Sequence, residues 1–337
     1  MNRIMVGLSG GVDSAVAAYL LKEQGYDVAG ATFRMIDEGW DGAKDAKAVA
    51  DFLGIPHYIF DFRDIFKEKV LDNFVEEYRL GRTPNPCVRC NKFIKFPAFL
   101  EKAEELGYDL ISTGHYARTD GENIYRAKNL AKDQSYVMYN LTKELIPHIR
   151  FPLAEMSKDE IREIARRAGI PVANKPDSQD ICFIPDGDTQ GYIEQKIGEM
   201  PAGDFVDSVG NVLGKHRGIC RYTIGQRKGF GLSLQSPLYV GKIDPEENKI
   251  TLVENGDLFV NRLIVKDFNW IDGAPDMPLN VTCKIRYAQN AAPAVAGTFM
   301  RDDMAVIVFN EPQRAVTPGQ SAVIYDGERL LGGGIIK

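Results

Sequence analysis

Four times within the first 175 residues the same cadence recurs: an amphipathic helical pattern, a glycine, then a short apolar run rich in β formers. The segments are YLLKEQGYDVAGATF, AVADFLGIPHYIFDF, KAEELGYDLISTGHY and IARRAGIPVANK. Gly25, Gly54, Gly107 and Gly169 fall where a helix is closed by a left-handed residue. Helices alternating with strands predict right-handed crossovers, hence a parallel sheet covered on both faces. Ligands of such sheets lie beyond the carboxyl ends of the strands.

Ser9-Gly10-Gly11-Val12-Asp13-Ser14 lies at such an end, between the apolar run Ile4–Leu8 and the helical pattern Ala15–Gln24. Glycines let the backbone turn tightly, successive N–H groups share one concavity, and the helix N-terminus adds partial positive charge. That makes an anion cradle suited to a nucleotide. No lysine follows the glycines, so the loop is not of the Walker A kind. Read without a ligand, Ser9 or Asp13 would be an ordinary N-cap.

The chain has 337 residues, enough for two or three domains, with 44% apolar and 26% charged residues. It enters a strand without a signal peptide and has no apolar run of membrane-spanning length, so a cytoplasmic location and no membrane partner are expected. Five cysteines, an odd number, point to a reducing compartment and to thiols used for chemistry. Net charge is −6, but it is unevenly spread. Tyr78–Leu100 holds Arg79, Arg82, Arg89, Lys92 and Lys95 with no carboxylate. Between Asp207 and Asp244 lie Lys215, Arg217, Arg221, Arg227, Lys228 and Lys242, with His216 and again no acid. Windows of +5 and +6 leave −17 for the rest, and local potential governs phosphate binding more than net charge does. A polyanion partner is the expectation.

Beyond Gly187 the helical period fades and short β-rich runs recur between turn signals such as Gly210-Asn211, Asn255-Gly256 and Asp326-Gly327. VTCKIRY, MAVIVF, SAVIYD and GGGII suggest strands of a small barrel. The expected organisation is α/β, a parallel sheet flanked by helices over residues 1–195. A small β-rich module follows over 196–262, then a C-terminal β-barrel over 263–337. Asp37–Asp45 reads as an acidic loop, with a lid over the nucleotide as the functional alternative.

The second informative stretch is GRTPNPCVRCNKFIKF, Gly81–Phe96. Pro84 and Pro86 predict a stiff extended loop. Basic side chains around Cys87 and Cys90 predict lowered thiol pKa values. Cys182, in DSQDICFIP, reads as an exposed loop cysteine, whereas Cys220 and Cys283, in alternating patterns, read as buried small hydrophobes.

SGGVDS, GRTPNPCVRCNKFIKF, STGHYAR, KDQSY, CFIP, YTIGQRKG, TPGQSAVIYDGE and the terminal LGGGII follow one another over nearly the whole chain. In order and spacing the set resembles the bacterial tRNA-specific 2-thiouridylases, members of the PP-loop ATP pyrophosphatases with an adenine nucleotide α hydrolase-like fold. SGGxDS alone is shared with several synthetases; the CNKFIKF, KDQSY and RKG blocks are not. The resemblance implies ATP-dependent 2-thiolation of the wobble uridine in tRNAs for Lys, Glu and Gln. It makes Gly7, Leu8, Ser9, Gly10, Gly11, Val12, Asp13 and Ser14 the ATP phosphate loop, with Phe33 and Gly114 against the adenosine. Asp13 would serve Mg²⁺ on the pyrophosphate. Cys90 corresponds to the nucleophile and Cys182 to the persulfide carrier. Asn85, Pro86 and Cys87 would border the target base, and His115, Lys132, Asp133, Gln134, Arg286, Tyr287 and Gln320 would contact tRNA. A persulfide-carrying sulfur-donor protein and a reductant are the further partners implied.

In one respect the chain departs from that pattern. Many members have Asp, assigned a part in activating the sulfur-carrying cysteine, where this chain has Cys87. Cys87, Cys90 and Cys182 therefore admit a second route, as three ligands of a 4Fe–4S cluster whose fourth iron takes hydrosulfide. A zinc knuckle lacks a second Cys pair at ligand spacing. A small-molecule ATP pyrophosphatase and a nucleotide-gated RNA-binding protein are the rival functions.

Overall fold

Met5 and Val6 have no accessible surface, because the opening strand becomes the centre of a parallel sheet. In the computed structural model, which describes residues 2–37, 42–176, 181–233 and 236–337, β1 (Arg3–Gly7) pairs with β2 (Asp27–Arg34). β2 pairs with β3 (His57–Asp61), and on the other side β1 pairs with β4 (Leu110–Ser112), which pairs with the short strand Ile149–Arg150. The order is β3-β2-β1-β4 and then 149–150, all parallel. Helices α1 (Val12–Glu23) and α2 (Gly42–Leu53) and the helix Lys158–Ala168 pack about it. Ile4, Val16, Ala17, Leu21, Val28, Ala50, Leu153 and Ile161 fill one buried cluster.

The predicted helix ends are found. Gly25, Gly54, Gly107 and Gly169 have φ of 86°, 64°, 76° and 71°. The 158–168 helix opens on a capping box: Glu160 N–H donates to Ser157 Oγ and Ser157 N–H to Glu160 Oε2, at 3.3 and 2.7 Å. Asp45, expected in an acidic loop, is instead in the first turn of α2; residues 38–41 of that stretch lie outside the described residues.

The chain divides into two compact units. The first holds the parallel sheet and comprises residues 1–70, 87–183 and 328–330. Its 117–126 hairpin takes in the last piece, Arg126 N–H donating to Glu328 O at 2.9 Å.

The second unit comprises 71–86, 184–327 and 331–337. One part is a four-stranded sheet in the order 239–244, 249–253, 203–206, 212–216, around Phe205, Tyr222, Phe230, Val240 and Ile250. The other is a barrel of six strands in the order 259–270, 301–314, 292–299, 279–284, 321–326 and 329–336. It closes where 259–270 pairs with 329–336, Val265 opposite Ile336. Cys283 is buried in a barrel strand as expected; Cys220 is buried too, but in a 3₁₀ turn at 219–221 rather than a strand. Among the described residues no helix is long and apolar enough to cross a membrane.

Candidate active site

The chain leaves β1 toward β2 and returns to β4 on the other flank, so the carboxyl ends of β1 and β4 open a crevice at the point where the order reverses. Ser9–Ser14 follows the first strand and Thr113–His115 the second. The 9–14 loop is tied to itself. Ser9 N–H donates to Ser14 Oγ at 3.1 Å, Gly11 N–H to Ser9 Oγ at 3.3 Å, and the Ser14 hydroxyl to Gly11 O at 3.1 Å. Gly10 has φ of 74°, and a Cβ there would fall 2.4 Å from Gly42 O. α1 is capped by Gly11 without a side-chain hydrogen bond, which leaves its first amides to an outside acceptor. A Cβ on Gly114 would lie 2.7 Å from Ser14 N, so the two loops are in backbone contact. Phe33 packs edge-on against Phe99 and Phe62, with centroids 4.7 and 5.4 Å away, and would meet a Cβ on Gly7 at 3.3 Å.

No lysine follows the glycines in sequence, yet two arrive from far along the chain. Lys158 Nζ lies 2.7 and 2.9 Å from the Asp13 carboxylate, which also accepts from Tyr116 OH at 2.8 Å. Lys175 Nζ donates to Gly10 O at 3.1 Å and pairs with Asp45. No local pattern marks either lysine, because the contacts close 145 and 165 residues of chain.

The second cluster is built on a change of helical winding. Pro86–Cys90 is α-helical, not the extended loop expected: proline's fixed φ suits the first helical position as well as a loop. Asn91–Ala98 then winds as a π-helix with Pro97 inside it, and Phe99 N–H reaches back five residues to Ile94 O. Cys90 is buried, its Sγ 4.0 Å from Met35 Sδ. Its thiol is pushed up to about 12 by burial, against the pull of Lys95 and with a further push from Cys182 and Cys87. The lowering expected from basic neighbours is therefore reversed for Cys90. Arg89, one of those neighbours, donates to Lys69 O and lies 5.1 Å from the Phe93 ring. Cys182 is exposed, as expected, yet desolvation of its sulfur raises the thiol too, with Lys95 opposing and Cys87 adding. All five cysteines are thiols.

His115 joins the two clusters. Its Nδ1 is 2.8 Å from Thr113 Oγ1, its ring lies 5.9 Å from Phe96, and Gly114 beside it touches the 9–14 loop. Burial, and then Lys95, hold its imidazole well below the usual value, so it is neutral near pH 7.

The remaining expected RNA contacts divide between the units. In the first, Lys132 is exposed. Asp133 is buried, and its carboxylate accepts from Ala127 N–H, Ser135 N–H and Ser135 Oγ at 3.0, 3.0 and 2.8 Å. Gln134 Oε1 accepts from Tyr116 N–H at 2.9 Å. In the second, Arg286 Nη2 donates to Thr317 Oγ1 at 3.0 Å and to Ala315 O, and Tyr287 is exposed. Gln320 Nε2 donates to Thr83 O at 2.7 Å, while Thr83 N–H donates to Pro318 O at 3.0 Å, so the 317–320 turn grips the segment leading to Asn85 and Pro86. Among the described residues, no three His, Cys, Asp or Glu side chains stand close enough to share a metal ion.

Residues 2–186 match the domain family described as tRNA methyl transferase HUP domain, 190–254 the tRNA methyl transferase PRC-barrel domain, and 260–336 the aminomethyltransferase beta-barrel domain. Relatives matched end to end carry a different description. The chain is 46% identical to the tRNA-specific 2-thiouridylase MnmA of Clostridioides difficile (strain 630), over 100% of this chain and 98% of that protein. It is 48% identical to the protein of the same name from Clostridium acetobutylicum, over 100% and 99%. Among solved structures, a 4-thiouridine synthetase–RNA complex with bound ATP aligns at a TM-score of 0.38 with 20% identity, over 58% of this chain and 50% of that one, a likeness too slight to carry an argument. With identity near one half sustained from end to end, the chain belongs to the tRNA-specific 2-thiouridylase family.

Proposed function

We propose that this protein uses ATP to replace O2 of the wobble uridine in tRNAs for Lys, Glu and Gln with sulfur. The observation that carries the reading is the run of contacts from the 9–14 loop through Gly114 and His115 to Phe96, on the helical stretch that carries Cys90. A urea-like carbonyl is a poor electrophile with a poor leaving oxygen. Adenylation of O2 corrects both defects and releases pyrophosphate. The uncapped amides of α1 would hold the phosphates, with Lys158 and Lys175 supplying the charge that a Walker lysine supplies elsewhere. Asp13 fits Mg²⁺ carried on the pyrophosphate, its charge being shared with Lys158. Magnesium would supply neutralisation of the leaving group.

In the sulfur step, the terminal sulfur of a persulfide on Cys182 bonds to C2 and the C2–O bond to AMP breaks. The Cys90 thiolate then bonds to Cys182 Sγ, and the S–S bond to the transferred sulfur breaks, leaving its electron pair to form C=S. The enzyme ends with a Cys90–Cys182 disulfide, which a dithiol reductant reopens; a donor protein reloads Cys182 with persulfide sulfur. The cluster route finds no ligand set among the described residues, and no step is drawn through it. A flipped-out base needs binding energy from the rest of the tRNA, for which the exposed Lys132 and Tyr287 are candidate contacts. Asp133 and Gln320 are instead engaged with main chain, at Ala127 and at Thr83.

Mass spectrometry of nucleosides from tRNA incubated with the protein, MgATP and a persulfide donor tests the reading: one oxygen exchanged for sulfur is expected. ATP–pyrophosphate exchange driven by an amino acid instead of tRNA would overturn it in favour of a small-molecule synthetase. Lys158→Met should raise KM for ATP in the exchange assay about tenfold to a hundredfold, the worth of one charged hydrogen bond, with tRNA affinity unchanged.

A further inference from the structure

Lys95 has an unusual position for a lysine. It is half-buried, and among the described residues no carboxylate pairs with it. The titratable groups whose charge reaches it are Cys90, Cys87 and Cys182, while Lys95 in turn acts on His115, which is neutral. The other cations of the same helical stretch look elsewhere: Arg89 and Lys92 both lie over the Phe93 ring, at 5.1 and 5.7 Å.

The backbone explains the placement. In an α-helix, five residues carry a side chain about 140° past a full turn, which would send Lys95 away from Cys90. The π winding of 91–98 bonds residue i to residue i+5, so Lys95 returns to the side of Cys90. Cys87, three residues before Cys90 on α-helical backbone, shares that side.

We infer that Lys95 is the positioning cation of sulfur transfer, its ammonium holding the Cys90 thiolate and the sulfur anion carried on Cys182. The inference rests on the sulfur-transfer reading above and assigns to one side chain the charge balance that reading needs. A buried thiolate without a counter-charge is costly, and burial alone raises both thiols. Lys95 works against that rise at both. The lysine itself ends above its ordinary value: burial opposes its charge, and the three thiols more than restore it.

The test is iodoacetamide alkylation of the full-length protein, with the exposed Cys182 read by peptide mass spectrometry across pH. Wild type, Lys95→Met and Lys95→Arg are compared, with Lys95→Gln in place of Met if that variant does not fold. Removing the cation disfavours thiolate, so the alkylation profiles should move to higher pH and the rate at pH 8 should fall about tenfold. Lys95→Arg should restore most of the rate, and KM for ATP should not change. Superimposable profiles for wild type and the neutral variant would overturn the inference. Because alkylation needs neither ATP nor tRNA, that outcome alongside normal thiolation by wild type would leave the proposed function standing. Absence of thiolation by wild type would remove the function and leave the charge relation to be read from the same profiles.

Discussion

Replacing Cys182 by serine should lower sulfur insertion into tRNA by at least about three orders of magnitude while ATP binds within twofold of wild type. The residue is exposed, so the change removes little packing and the fold should keep its melting temperature. Serine preserves size and takes away the one property the step requires, a sulfur able to carry and release another sulfur. The nucleotide loop is untouched, so tRNA-dependent pyrophosphate release should persist, uncoupled from thiolation. Cys90→Ser gives the complementary result: the transferred sulfur reaches C2 but stays bonded to Cys182, so a tRNA–enzyme disulfide adduct should accumulate. Thiolation by Cys182→Ser at the wild-type rate would end the sulfur-carrier assignment.

Gly114→Ala should lower ATP–pyrophosphate exchange by about a hundredfold or more. The added Cβ would meet Ser14 N at 2.7 Å, Asp13 C at 2.9 Å and Asp13 Cβ at 3.1 Å. The two nearest are main-chain atoms, which cannot swing aside as the end of a long side chain does. Either the turn after β4 or the phosphate loop must shift, and displacements of about 1 Å at a catalytic centre cost about that factor. The parallel sheet does not depend on this contact, so circular dichroism should be that of wild type. Exchange within twofold of wild type would show that the loop tolerates displacement and that Gly114 does not shape the nucleotide site.

What the sequence disclosed was mostly local. The 9–14 loop and the helix-closing glycines were legible because a turn and a cap are written in adjacent residues, and their conformations agree with the reading. Lys158 and Lys175 were not, since only the folded sheet brings them to the 9–14 loop. The Cys90 thiol was misjudged because burial outweighs the basic neighbour that acts on it, Lys95, while Arg89 turns to Lys69 O and Phe93. Pro86 was ambiguous by nature, one φ serving both a loop and a helix start. Nor did any pattern show that the 72–79 helix belongs with the second unit, where Phe74 meets Tyr192 across 117 residues of intervening chain at a centroid distance of 6.3 Å.

The depth of Cys90 also bears on how such an enzyme ages. Peroxide attacks thiolates that it can reach, and a sulfur with 4% of its residue exposed and its proton retained to about pH 12 offers neither. The interior sulfur is thus shielded from irreversible oxidation, and corrosion falls first on the thiols at the surface, Cys87 and Cys182.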